Sequence, residues 1–237
     1  RILPVRRVLE VHQGKDGTAY SFSHFIKGVR LTDLNSRQLY DIVPEVLKMF
    51  NLLESVDVSD RIGYGPIDHT GQAPYSTWQD YIEAVCNKRI YNWSDLEKKG
   101  FDSEVVHAAL RQLQAHLKSV TLSGKFLVHG DLGSSNLLAD DGRISGIIDW
   151  SLSLYGDHLY DKANILFWNE DKLQPLVRQI KQKYITSTET KAAMYCYMLR
   201  IGLEEIYNTV ILNKAGYDIE WVANRLMDIT NHFLDHP

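Results

Sequence analysis

Two apolar runs, Asn136-Leu137-Leu138-Ala139 and Arg143-Ile144-Ser145-Gly146-Ile147-Ile148, stand on either side of Asp140-Asp141-Gly142. An Asp-Gly pair between apolar segments is a strong signal for a tight β-hairpin, because both turn residues tolerate the left-handed backbone that such a turn needs. A hairpin brings its ends together. Asn136 and Asp149, thirteen residues apart in the chain, are therefore expected to meet in space. Just upstream, Phe126-Leu127-Val128 is a short apolar run suited to a buried strand, which delivers His129-Gly130-Asp131 to a loop at the same place.

The side chains gathered by this arrangement suit phosphoryl transfer. Moving a phosphoryl group from a nucleotide to a hydroxyl requires a carboxylate to orient the alcohol and take its proton, and oxygen ligands to hold Mg²⁺ on the phosphates. Asp131 is the candidate base, and Asn136 and Asp149 are the candidate metal ligands. The pattern parallels the H-R-D-x-x-x-x-N loop of protein kinases with its later Asp, except that Gly130 replaces the Arg. His129 is expected to bond the loop backbone, since Asp131 already provides the proton path. A non-haem iron triad of His129, Asp131 and His158 is the competing chemistry, but it leaves Asn136 and Asp149 without a role.

Composition narrows the classes. With 26 Lys plus Arg against 30 Asp plus Glu, the net charge of −4 disfavours nucleic-acid binding and suits cationic small molecules. Cys86 and Cys196 are too few for a disulfide framework or a zinc site, and are expected to be buried thiols in a reducing cytoplasm. No apolar run of about eighteen residues and no basic-then-apolar leader is present, so neither a membrane span nor a signal peptide is expected.

Along the chain, Val8-Leu9-Glu10-Val11 and Thr18-Ala19-Tyr20-Ser21-Phe22 enclose a Gly-rich reversal and predict a first hairpin. After Gly28 the period becomes helical, with Leu39, Ile42, Val43, Val46, Leu47, Phe50 and Leu53 on one face and Pro44 as an expected kink. Further helices are predicted at about 77–88, capped by Thr77, at about 103–120, and at 158–169, 172–186, 189–213 and 218–234.

The C-terminal half resembles the aminoglycoside phosphotransferases, whose H-G-D-x-x-x-x-N and I-D-W motifs stand here at 129–136 and 148–150. Asn136 to Ser151, Gly156 through Trp168, and Tyr197 to Glu204 are similar to the hygromycin B phosphotransferase branch, and weaker likeness extends back to Ile2. The resemblance implies an α+β, protein-kinase-like fold. Residues 1–28 would be the end of the N-terminal lobe, with a residual hairpin and the hinge. Residues 29–237 would be the helical C-terminal lobe enclosing the small catalytic β-hairpin. It implies ATP or GTP with Mg²⁺ as cofactors, and an adenine set against the backbone of Ser23 and Phe25 after Phe22. The implied activity is phosphorylation of an aminoglycoside hydroxyl, hence antibiotic resistance. No Gly-rich loop or paired strand Lys is found in the sequence; these parts of a nucleotide kinase either precede Arg1 or are absent.

For an acceptor carrying ammonium groups and apolar ring faces, carboxylates and aromatics are the matching chemistry. The candidates are Asp157, Asp161, Glu204 and Glu205, with Trp150, Trp168, Tyr155 and Tyr207. Trp168 is favoured among the aromatics because the Asn169-Glu170-Asp171 that follows is polar. Glu204 and Glu205 are expected to diverge, since adjacent helical residues lie about 100° apart. Choline, homoserine, fructosamine and methylthioribose kinases share the H-G-D and later Asp, and a non-catalytic kinase-like lobe is the rival from another class. Oligomeric state leaves no sequence signal.

Overall fold

The computed structural model describes residues 3–214 and 216–234; Ile2, where the weak likeness begins, lies outside the described residues with Arg1, Ala215 and the last three positions. The chain opens with the predicted hairpin, β1 (Val8–Gln13) against β2 (Ala19–Ser23). Its strands are almost entirely exposed, including Val11, Tyr20 and Phe22, and they pair only with each other. The helical period after Gly28 starts later than the pattern suggested. A short β3 (Val29–Arg30) and a single 3₁₀ turn come first, because Asn35 is the residue that caps the helix. Its side chain accepts from the Arg37 and Gln38 amides while Gln38 bonds back to the Asn35 N–H, a reciprocal cap. The helix α1 (Ser36–Glu54) is continuous through Pro44, which has no N–H to give the Tyr40 carbonyl; Tyr40 is exposed, so water can serve instead.

Two small sheets carry the motifs. The strands β6 (Leu137–Asp140) and β7 (Arg143–Ile147) pair with Asp140 opposite Arg143, leaving Asp141-Gly142 as a two-residue loop. Both loop residues are left-handed, at φ 49° and 72°, which is the primed turn anticipated from Asp-Gly. β3 adds to the other edge of β6. The second sheet sets β5 (Phe126–Val128) and β4 (Gly65–Pro66) on either side of β8 (Leu154–Gly156). Sequence reading missed β4 and β8, which are too short to show a period.

Behind the sheets lie α2 (Trp78–Glu83), α3 (Glu104–Leu117), α4 (Leu159–Trp168), α5 (Gln174–Tyr184), α6 (Thr188–Ile206) and α7 (Ile219–His232). Every residue of α6 from Ala192 to Leu203 is buried, so α6 is the axis on which α3, α4 and α7 pack. It ends in a wider π turn, Tyr207–Ile211, marked by the Leu212 N–H reaching the Tyr207 carbonyl. Cys196 is buried on this axis and Cys86 is partly buried; burial pushes their thiols up to about 12 and about 11, so both remain protonated near neutrality. Among the described residues, no helix is long and apolar enough to cross a membrane.

One polar chain crosses this core. The Trp78 indole donates to the Tyr197 hydroxyl at 2.9 Å, and that hydroxyl donates to Asp157 at 2.7 Å. The other Asp157 oxygen accepts from the Leu159 N–H and so starts α4. Trp78 and Tyr197 have no exposed surface and Asp157 only 2%. Tyr197→Phe leaves a buried donor and a buried carboxylate without their partner. Urea unfolding is expected to show a loss of about 1–3 kcal/mol, with an unchanged dependence on urea concentration.

Candidate active site

The loop after β5 is held by a carboxylate from a distant helix. Asp161, on the first turn of α4 and 3% exposed, accepts from the backbone N–H of His129 and of Gly130, each at 2.9 Å. Burial pushes the Asp161 carboxyl up; the neighbouring His129, the two amide donors and the Lys162 ammonium pull it back. Gly130 follows with φ 85°, and a β-carbon there would fall on the Leu152 carbonyl. That is the physical reason for glycine where the protein-kinase pattern has Arg. His129 is fully buried: its Nε2 bonds the Ile148 carbonyl at 2.9 Å and its Nδ1 faces the Asp131 N–H at 3.3 Å. The Nδ1 acts as acceptor, so the proton is on Nε2. His129 thus ties the loop to the strand leading into Asp149, the structural part expected of it.

Asp131 and Asn136 meet directly. The Asn136 amide donates to the Asp131 carbonyl at 2.8 Å and to its carboxylate at 2.9 Å, which leaves the Asn136 Oδ1 as its free ligating atom. The Ile148 N–H donates to the Asn136 carbonyl at 3.0 Å, closing the hairpin ends and bringing Asp149 alongside. Asp149 is exposed and left-handed at φ 59°, with Ser151 donating to its carboxylate at 2.7 Å. That hydrogen bond is the main reason its pKa is lowered. Asp131 behaves oppositely: burial raises it, the Asn136 bond and His129 oppose, and the Asp149 and Asp161 charges add to the rise.

Asn136 and Asp149 supply hard oxygen donors of the kind Mg²⁺ takes beside phosphates and water. Among the described residues, no group of three or more His, Cys, Asp or Glu side chains is arranged to hold a metal by itself. His158 is turned away from His129 and bonds Glu54 at 3.1 Å. Although partial burial alone would raise Glu54, this bond and the Lys162 ammonium hold its carboxyl down at about 2. Lys162 is itself buried, 2.7 Å from Glu54 and over the rings of Phe50 and Tyr184. The iron-triad alternative therefore has no third ligand in His158.

A cleft opens beside Asp131 and is lined by Trp168, Glu204, Glu205, Tyr217 and Asn164, among others. Trp168 and Glu204 are both part of this lining. Glu205 lines the same cleft as Glu204, although adjacent helical side chains lie about 100° apart. Burial raises the Glu205 carboxyl, opposed by hydrogen bonds from Thr209 and the Tyr217 backbone. Glu204 is held by Arg200 at 3.1 Å and by the Tyr91 hydroxyl at 3.3 Å. Arg200 is 1% exposed and lies 4.1 Å from the centre of the Tyr81 ring.

Five other expected cleft residues are elsewhere. Asp157 belongs to the buried chain with Tyr197 and Trp78, and Asp161 to the loop clamp. Trp150 packs on His129 with its indole N–H on the Ile147 carbonyl, because the His129 side chain offers it a buried face. Tyr155 is buried in β8 with its hydroxyl on Gly71, and Tyr207 packs on Tyr91 and Trp93. Ser23 is partly buried and Phe25 is 90% exposed, with the His24 N–H bonded to the Arg7 carbonyl. Asn164 and Tyr217 escaped the sequence reading: neither lies in a motif, and only the packing of α4 against α6 and the return of the chain after the π turn bring them to the cleft.

A model of the phosphotransferase enzyme family (APH) matches residues 1–195. Hygromycin-B 4-O-kinase of Escherichia coli is 31% identical over 229 residues, covering 94% of this chain and 65% of that protein. Aminoglycoside 3'-phosphotransferase of Enterococcus faecalis is 26% identical over 168 residues, covering 68% and 58%. The chain thus spans less than two thirds of the length of either relative. The crystal structure of a thermostable mutant of aminoglycoside phosphotransferase APH(4)-Ia, in ternary complex with AMP-PNP and hygromycin B, superposes with a TM-score of 0.86 at 30% identity. That match covers 97% of this chain and 77% of the other. Wild-type aminoglycoside 2'-phosphotransferase-IIIa in its GDP complex, 14% identical with a TM-score of 0.63, shares the fold. The fold is α+β and protein-kinase-like.

Asp161→Asn is expected to loosen the loop, because an amide side chain turns an NH₂ group toward one of two backbone donors. Charge-assisted bonds are worth about 1.5–3 kcal/mol, so hydrogen exchange at the His129 and Gly130 amides should quicken by at least about tenfold. Exchange unchanged at both amides would show that Asp161 does not hold the loop.

Proposed function

The chain belongs to the APH phosphotransferase enzyme family, and from that premise we propose that it is a nucleotide-dependent O-phosphotransferase whose acceptor is an aminoglycoside hydroxyl of the hygromycin type. The observation that carries the reading is Asp131, a carboxylate bonded to Asn136 and facing a cleft walled by Glu204, Glu205 and Trp168. The acceptor hydroxyl sits against Asp131, which takes its proton as the hydroxyl oxygen bonds to the γ-phosphorus and the bridging bond to the nucleoside diphosphate breaks. Asn136 and Asp149 would hold Mg²⁺, which neutralises phosphate charge when bound. The nucleotide, ATP or GTP, lies on the Asp149 side, with Ser23 and Phe25 offering backbone groups to its base. Residues 1–28 act as the end of a nucleotide-covering lobe and residues 29–237 as the acceptor and catalytic lobe. The same reading makes this a cytoplasmic resistance enzyme.

Glu204 and Glu205 favour a polycation, and the flat face of Trp168 suits a sugar ring. The test compares hygromycin B, other aminoglycosides, choline and homoserine as acceptors at low and physiological salt. An aminoglycoside should be preferred, its KM should rise with salt because exposed charges lose most of their attraction beyond a Debye length of about 8 Å, and Glu204→Gln and Trp168→Ala should each raise it further. Turnover of choline or homoserine alone would overturn the aminoglycoside assignment.

Asp131→Asn should cut kcat by about 10²–10⁴, the usual worth of a positioned base, with little change in nucleotide affinity. Because Asp131 must be ionised to accept a proton and burial raises its pKa in the free protein, the acid limb of wild-type kcat/KM should lie above the ordinary carboxylate value of 3.8 and fall as pH drops through it. Near wild-type kcat in the variant would remove Asp131 from the chemistry.

A further inference from the structure

Asn164 stands on α4 one turn before Trp168 and is 3% exposed. The Trp168 indole N–H donates to its Oδ1 at 3.1 Å, which fixes the carboxamide: an N–H must meet an oxygen, so the amide cannot be turned over. Among the described residues its Nδ2 has no hydrogen-bond partner, although Asn164 lines the same cleft as Asp131, Glu204 and Glu205. A buried amide donor left unpaired is costly, and the cost is recovered when an acceptor is brought to it. Everything else charged in that wall is anionic. The carboxylates can seat ammonium groups, but an ammonium has no lone pair to offer Asn164.

We propose that Asn164 is a specificity-determining residue that donates from Nδ2 to an oxygen of the acceptor, a hydroxyl or ring ether other than the one phosphorylated. The inference rests on the reading of this cleft as the acceptor site. It divides the labour there: Glu204 and Glu205 recognise the amines of the substrate, and Asn164 recognises its polyol part. An acceptor with a single oxygen function leaves Asn164 unpaired and is disfavoured for that reason.

Asn164→Asp keeps an oxygen for the Trp168 indole and the size of the side chain, but replaces the free donor with an acceptor. Asn164→Leu removes both groups. The native full-length protein is first assayed with hygromycin B, choline and homoserine; no turnover of any aminoglycoside overturns the substrate reading, and the variants are then compared on whichever acceptor is used. At about pH 8, where carboxyl groups are ordinarily ionised, both variants should raise the acceptor KM by roughly five- to tenfold, the worth of one hydrogen bond. Nucleotide KM should not change. Both variants should melt lower, Asn164→Leu because it frees the Trp168 N–H and Asn164→Asp because it buries a charge beside other carboxylates. An added carboxylate would draw a polycation in, so a raised KM in Asn164→Asp reports the lost donor and not the gained charge. An acceptor KM unchanged or lowered in Asn164→Asp overturns the proposal, and a rise confined to Asn164→Leu reduces Asn164 to an anchor for Trp168.

Discussion

The Asp161 carboxylate, gripping two consecutive backbone amides from a helix some thirty residues downstream, is the contact on which the site is hung. Without it the segment from His129 to Asp131 is a loop with a left-handed glycine and nothing to set its direction. With it, His129 is aimed at the Ile148 carbonyl and Asp131 at Asn136, so one helix end positions both ends of the catalytic hairpin. The next residue, Lys162, pins the same helix to α1 through Glu54. A buried ion pair of this kind adds little net stability, but it fixes which way the helix faces.

The cleft beside this loop is electrostatically lopsided. Asp131, Glu204 and Glu205 point into it, while the nearest arginine is buried behind Glu204 and spent on holding it. A cationic acceptor relieves the crowding of carboxylates, and relief is greatest for one with several amines. Beside these carboxylates, Trp168 is stacked on Trp221 and packed against Tyr217, a stiff aromatic wall.

What the sequence could disclose follows from how local each feature is. The Asp141-Gly142 turn is decided by two residues, and with it the closing of the hairpin by the Ile148 N–H on the Asn136 carbonyl. The caps at Thr77 and Ser187 and the apolar stripe of α1 are equally local. Asp157 and Asp161 could not be sorted this way. Both are carboxylates at the start of one helix, and only the tertiary neighbours, a tyrosine from α6 for one and the loop amides for the other, decide that neither faces the cleft. Trp150 and Trp168 differ for the same reason. Glu205 joins Glu204 in the cleft lining although adjacent helical residues point about 100° apart, and both stand in the last turn of α6 before the wider turn at 207–211.

That wider turn has an evolutionary side. A π turn is what a packed helix forms when it takes in one residue more than its register allows, and here it lies at 207–211, past the last fully packed stretch of α6. Single-residue insertions or deletions there can re-cut the far rim of the cleft, shifting Asn208 and the chain leading to Tyr217, while the α4 and α6 pair absorbs none of the change. The loop carrying Asp131 and the wider turn at the rim of the cleft thus lie on separate segments, so a change at the helix end can leave that loop in place.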